Sequence, residues 1–190
     1  MPIWEAEEKT EKSDFYSEIT LYNSARVWDG HFLDATNFSI PGTGEATEIT
    51  RGTGVAYEFS NDKEESIYSQ YRIPGTWVDT EDIRIVLLWD SPAVSASCNW
   101  EIDYQFKALG EAMDDLANLG SEISTETSSA NSTGLVESQL TLPTSDFTTE
   151  DKMIRLGVTR DGTADTLDDS AFLHAILIKG VRNKLGGSTS

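Results

Sequence analysis

Hydrophobic and polar residues alternate along most of the chain between residues 54 and 181. The clearest stretch is residues 99–106, where even positions are apolar and odd positions polar: Trp100, Ile102, Tyr104 and Phe106 against Asn99, Glu101, Asp103 and Gln105. A period of two is typical of a β-strand with one face on a core and the other in water. The run at residues 83–89 carries apolar side chains on both faces, which predicts a more deeply covered strand.

Five further segments predict strands in the same way, at residues 54–60, 65–73, 135–142, 152–160 and 171–181. Turn signals such as Pro74-Gly75 separate them. The polar segment 121–133 is typical of a strand that continues into an exposed loop. Residues 108–119 are the helical candidate, although a loop between strands accounts for them almost as well.

Many short strands with hardly any helix predict an all-β chain folded as an antiparallel β-sandwich or barrel. The long connections favour an eight-stranded jelly roll over an immunoglobulin-type sandwich, whose Cys–Trp–Cys pattern is missing from the sequence. We expect an N-terminal arm at residues 1–14, and an extended segment with short strands at 15–53 that packs on the sandwich. The jelly roll would span residues 54–181, and a flexible tail residues 182–190.

The chain is strongly acidic, with 14 Lys and Arg against 33 Asp and Glu in 190 residues, a formal net charge of -19. Such a surface repels phosphate backbones and anionic membranes, so nucleic acid and membrane partners are not expected. Two interpretations of the charge stay open. It serves solubility, or it fits a saline environment or a basic partner surface.

Cys98 is the only cysteine, which excludes an internal disulfide bond, and we expect a buried or half-buried thiol. No apolar run reaches the ~18 residues that a membrane-spanning helix needs. The first eight residues are acidic where a signal peptide would be basic and then apolar. We therefore expect synthesis in the cytoplasm.

The sequence shows no motif that assembles a nucleophile, a general base or a cofactor site, so no catalytic residue and no cofactor are predicted and the chain is not expected to be an enzyme. His174 falls inside the last predicted strand, where a hydrogen-bonded core or interface histidine is the simplest interpretation. His31 follows the Asp29-Gly30 turn and is expected on the surface.

The acidic loop at residues 161–169 is the candidate metal site. Its carboxylates Asp161, Asp165, Asp168 and Asp169 are the ligand type that calcium prefers. However, Thr166 stands where an EF-hand turn needs glycine, and Phe172 where it needs glutamate. An ordinary solvated turn is therefore the favoured interpretation, no metal is predicted, and calcium binding is the alternative.

The aromatic residues suggest a sugar-stacking surface, but most of them lie on predicted inward faces, where core packing accounts for them. Trp77 is the exception. It follows the Pro74-Gly75 turn, and its ring is expected to be exposed to a ligand or a neighbouring subunit.

Four segments, residues 65–74, 83–89, 99–104 and 153–162, form a familiar series: a strand that ends in proline, an apolar strand that ends in tryptophan, a Trp-Glu-Ile-x-Tyr strand, and an Arg-Leu strand with an Arg-Asp-Gly turn. Together they resemble the jelly-roll accessory virion proteins of tailed viruses, which occur as head fibres, capsid decorations or turrets. The likeness covers about residues 54–181.

The resemblance implies a non-enzymatic structural protein on the outside of a virion, assembled as a homotrimer or another homo-oligomer on a major capsid protein or another virion protein. Our hypothesis is that the N-terminal arm attaches to the particle through Trp4, and that the last strand supplies contacts between subunits. The alternative is a tail-associated or surface adhesin, a carbohydrate-binding module that recognises a glycan on the host.

Overall fold

The structure, a computed structural model, describes residues 19–20, 27–40, 42, 45–113, 119–129, 132–148, 150–182 and 184–185. These residues form twelve strands: β1 Ile19–Thr20, β2 Val27–Asp34, β3 Thr47–Arg51, β4 Gly54–Phe59, β5 Glu64–Arg72, β6 Ile83–Asp90, β7 Ser97–Ala108, β8 Gly120–Thr127, β9 Val136–Leu142, β10 Asp151–Asp161, β11 Ala171–Arg182 and β12 Lys184–Leu185.

Two antiparallel sheets face each other. One has four strands in the order β5-β10-β7-β8, and the other has the order β3-β4-β11-β6-β9, with β2 pairing along β11 as well. Of the eight strands from β4 to β11, β4, β6, β9 and β11 lie in one sheet and β5, β7, β8 and β10 in the other, as in the two facing sheets of a jelly roll. The predicted antiparallel β-sandwich of jelly-roll type is therefore confirmed.

The core lies between β6 and β7, one from each sheet. Trp89 and Trp100 are both fully buried, and their rings meet nearly edge to face with centroids 5.8 Å apart. The indole N–H of Trp89 donates to Ser138 at 2.8 Å. Cys98 is buried and free, as predicted, and burial raises the pKa of its thiol.

The described part of residues 108–119 favours the predicted loop over the helical candidate. Here β7 runs on to Ala108, and the described residues 109–113 and 119 form turns and irregular backbone. The helical spacing in this segment is too short, at about two turns, to outweigh strand pairing. None of the described residues belongs to a helix long and apolar enough to cross a membrane.

The segment before residue 54 contributes β2 and β3 to the larger sheet, β2 along β11 and β3 along β4. Near the other end of the chain, β12 pairs with β1. Trp4 and the rest of the predicted N-terminal arm lie outside the described residues.

Candidate functional site

The outer face of the four-stranded sheet carries an aromatic ring on a polar surface. Tyr68 of β5 lies directly opposite Gly157 of β10, and Gly157 lies opposite Asp103 of β7. A Cβ atom built on Gly157 would lie 3.2 Å from the Tyr68 ring and 3.6 Å from the Asp103 Cβ. The Tyr68 ring therefore leans across the glycine toward Asp103, while 43% of the residue stays exposed.

A second row of side chains crosses the same face two residues further along the strands. Gln70 of β5, Arg155 of β10 and Gln105 of β7 are paired in register. Gln105 is 2% exposed, so its amide forms part of the floor of the site. Side chains two apart on a strand are about 7 Å apart. The two rows thus offer amide, guanidinium and carboxylate groups beside the Tyr68 ring.

One wall of the site comes from residues 37–40, which run along the free edge of β5. The backbone of Ser39 pairs with that of Tyr68 through two hydrogen bonds of 2.8 and 3.0 Å. The Ser69 hydroxyl donates to the Asn37 carbonyl at 3.0 Å. These bonds fix both the wall and the backbone that carries the aromatic ring.

Residues 109–113, which follow β7, lie at the Arg155 end of the site. Arg155 donates through Nη1 to the Met113 carbonyl at 2.7 Å, and Lys107 donates through Nζ to the Ala112 carbonyl at 3.0 Å. Two cations of the sheet face therefore hold this segment against one end of the site. Leu119, which is 56% exposed, borders the site on the same side.

A cleft of about 470 Å³ lies beside the wall of residues 37–40. Its lining includes residues of both cross-strand rows, of this wall, and Leu119: Asn37, Ser39, Tyr68, Gln70, Asp103, Gln105, Leu119, Arg155 and Gly157. The volume falls in the range of small-molecule sites. An exposed ring beside convergent polar groups suits a ligand that has apolar faces and many hydroxyl groups.

Asp103 is the acidic group of this cleft. Burial raises the pKa of its carboxyl group, and the neighbouring charge of Glu101 raises it further, while a hydrogen bond from Ser121 acts in the opposite direction. The Ser121 hydroxyl also donates to Glu101 at 2.5 Å. Hydroxyl donors are thus the partners that this pair of carboxylates favours.

A second cleft, of about 460 Å³, lies beyond Leu119 at the end of the sandwich and is lined by several carboxylates. Those carboxylates already accept hydrogen bonds. Asp146 binds the Tyr104 hydroxyl at 2.7 Å, and Glu111 binds the backbone N–H of Ala108 at 3.0 Å. They stabilise the ends of strands, which makes the Tyr68 cleft the better candidate site.

The prediction that the Trp77 ring is exposed is wrong. Trp77 is 4% exposed, and its indole N–H donates to the Asp29 carboxylate at 3.1 Å. The ring packs on Gly180, where any side chain would collide with it, and contacts the rings of His31 and Tyr71. His31 is correspondingly half-buried, with Nε2 3.2 Å from Asp29. No sequence pattern indicated that Gly180 of β11 receives the indole.

The acidic loop after β10 is built around a buried ion pair. Arg160 and Asp165 both have fully buried side chains, with Nε to Oδ2 at 2.9 Å and Nη2 to Oδ1 at 3.2 Å. The remaining guanidinium N–H groups donate to the carbonyls of Phe59, Leu167 and Asp169. Asp165 thus compensates a buried cation, and it does not face solvent as a calcium ligand would.

The other acids of the loop serve local turns. Asp161 accepts from the backbone N–H and the hydroxyl of Thr163 at 3.0 and 2.7 Å, and the Asp169 carboxylate accepts from the Ser170 N–H at 2.8 Å. Asp168 is exposed. Across the described residues, no three acidic, histidine or cysteine side chains converge as a metal site would require. The loop therefore does not gather the calcium ligands that its sequence suggested.

His174 sits at a bulge of β11, and its Nε2 lies 2.8 Å from the Asp90 carboxylate. Arg51 donates to the same carboxylate through Nε at 3.0 Å and also lies over the Phe172 ring. The histidine is thus hydrogen-bonded within the sandwich, in agreement with its sequence-based interpretation.

The residues of the cleft were not singled out from the sequence. One signal pointed to them, because Tyr68 occupies the polar face of β5 between Ser66 and Gln70 while Ile67 and Tyr71 alternate inward. An aromatic residue on a polar strand face, opposite a glycine on the neighbouring strand, marks an exposed ring. The pairing partner of Tyr68 is known only from the sheet topology.

Solved structures with a similar fold include carbohydrate-binding modules. Xyl-CBM35, solved in complex with a glucuronic acid-containing disaccharide, aligns over 84% of this chain and 99% of its own with 9% identity and a TM-score of 0.53. A family 35 carbohydrate-binding module from an environmental isolate covers the same shares with 10% identity and a TM-score of 0.50. At such identities the likeness shows the fold alone. No family model matches the chain, and no curated protein sequence is similar to it.

Proposed function

We propose that this protein is a non-catalytic carbohydrate-binding module whose site is the cleft around Tyr68. The observation that carries the proposal is the exposed Tyr68 ring beside Gln70, Asp103 and Arg155. Sugar rings present C–H groups on their faces and hydroxyls around their rims. An aromatic ring covers the face, while amide, carboxylate and guanidinium groups bond the rim.

The shape of the cleft supports this function. Gly157 leaves room above the sheet beside the Tyr68 ring, and Asn37, Ser39 and Leu119 border the space. The site is built largely on strands, so little ordering accompanies binding. The same sandwich architecture in solved carbohydrate-binding modules is a further reason for choosing a glycan as the ligand.

The test is the substitution Tyr68→Ala, with binding measured on an array of cell-wall and cell-surface glycans and then by titration calorimetry. Losing the stacking ring should weaken binding at least about 30-fold, as for other central aromatic contacts. Phe32→Ala is the matched control, because Phe32 is 60% exposed on the outer face of the other sheet. The proposal would be ruled out if no glycan on the array bound the protein, or if Tyr68→Ala and Phe32→Ala lost the same amount of glycan affinity.

A second proposal is the virion role, with self-association through the outer face of the six-stranded sheet. On that face Trp28 is 44% exposed and Phe32 60% exposed. Exposed aromatics on an apolar sheet face favour contact with another protein surface. Light scattering should then show an oligomer that Phe32→Ala dissociates, whereas a monomeric wild-type protein would refute this proposal.

A further inference from the structure

Resting on the proposed glycan-binding function, we infer that the cleft selects uncharged sugars and rejects sugars carrying a carboxylate at the Tyr68 position, with Asp103 as the residue that sets this specificity. The inference names the ligand class, and it follows from the placement of charges on the outer face of the four-stranded sheet.

Asp103 lies next to the stacking position. It is paired with Gly157, which is paired in turn with Tyr68, so the ring and the carboxylate belong to one row across three strands. The Tyr68 ring leans toward Asp103 over the glycine. A sugar that stacks on the ring therefore brings its rim substituents within reach of the Asp103 oxygens.

The neighbours of Asp103 make this position unfavourable for an anion. Glu101 is two residues away on the same face of β7, about 7 Å along the strand. Its charge raises the pKa of Asp103. A ligand carboxylate would add a third negative charge beside two that already repel each other, whereas sugar hydroxyls would donate to them as Ser121 does.

The cation of the cleft does not compensate for this repulsion. Arg155 stands in the next row, opposite Gln70 and Gln105, and its Nη1 is held by the Met113 carbonyl. This hydrogen bond draws the guanidinium group toward the Met113 end of the site. The formal net charge of -19 adds a long-range repulsion of anionic polymers at low ionic strength.

The experiment compares two ligands of equal size. The probes are the neutral hexose oligosaccharide that binds most tightly on the array and the same oligosaccharide oxidised to the uronate at C6. The wild-type protein should bind the uronate at least about tenfold more weakly. Asp103→Asn should reduce the ratio of the dissociation constants for the uronate and the neutral sugar to less than about threefold, because a neutral amide does not repel the anion.

Glu137→Gln is the control, because it removes one negative charge from β9 on the other sheet and should leave the ratio unchanged. A wild-type protein that binds the uronate as well as the neutral sugar overturns the inference while the glycan-binding function stands. The inference is also overturned if Asp103→Asn leaves the ratio of the affinities for the neutral sugar and the uronate unchanged. If neither probe binds because no glycan binds at all, the proposed function itself fails.

Discussion

The two outer faces of this sandwich both expose aromatic rings, but in opposite surroundings. On the four-stranded sheet, Tyr68 lies among serine, glutamine and carboxylate side chains, beside the wall of residues 37–40. On the six-stranded sheet, Phe32 and Trp28 lie beside Leu177 and Val181 of β11, with Arg84 over the Trp28 ring at 4.1 Å. The residues around an exposed ring therefore indicate what the ring binds. Polar neighbours favour a hydroxyl-rich ligand, whereas apolar neighbours favour contact with another protein.

The largest expected effect tests the turn that ends β10, the strand at the centre of the polar face. Asp165→Asn leaves the buried Arg160 guanidinium without its counter-charge. Removing one partner of a buried ion pair costs about 3–5 kcal/mol. We expect the free energy of unfolding in urea to fall by about that amount.

Asp168→Asn, a substitution at an exposed acid of the same loop, should change the unfolding free energy by less than about 0.5 kcal/mol. Added calcium should leave the melting temperature of the wild-type protein where it is. A calcium-dependent rise that both variants abolish would restore the loop as a metal site.

The next effect contrasts the two faces directly, through one glycine on each outer face. Gly157→Leu should fill the cleft and abolish glycan binding, because a Cβ there already lies 3.2 Å from the Tyr68 ring. Gly30→Leu places the same side chain on the other face, with its Cβ 3.2 Å from Leu177. Calorimetry should show unchanged glycan affinity for the Gly30 variant. If the two variants bound glycan with equal affinity, the site could not be the Tyr68 cleft.

The smallest effect is a stability difference that depends on pH. The pKa of Asp103 is raised in the folded protein, so the folded state binds a proton more tightly than the unfolded state does. Stability therefore falls as the pH rises above the ordinary aspartate range. Asp103→Asn should therefore raise the melting temperature at neutral pH. The difference should vanish in acid, where the aspartate is protonated in both states.

Asp161→Asn should act with the opposite sign. Hydrogen bonds from the Thr163 hydroxyl and backbone lower the pKa of Asp161, so its carboxylate contributes stability that is present at neutral pH and is lost as the pH falls. Thermal unfolding at several pH values measures both variants. If the melting temperatures of the two variants changed with pH in the same way, the data would contradict the view that the ionised Asp103 destabilises the fold while the ionised Asp161 stabilises a turn.

Much of the fold could be predicted from the sequence. The strands at residues 83–89 and 99–106 appear as Ile83–Asp90 and Ser97–Ala108, because a period of two with a buried face leaves few alternatives. Trp89 and Trp100 lie in the core for the same reason. The prediction was wrong for Trp77, since the turn beside it suggested exposure and the glycine that receives its indole is about a hundred residues away.

The alternation of residues was enough to predict which side chains of the main strands point inward or outward, and hence the class of fold. Which outward side chains meet depends on the pairing of the strands in three dimensions. The Tyr68 cleft joins β5, β7 and β10, so its members come together through pairings between strands that are distant in sequence. Alternation is a local property of the backbone, whereas pairing depends on how all the strands share one core.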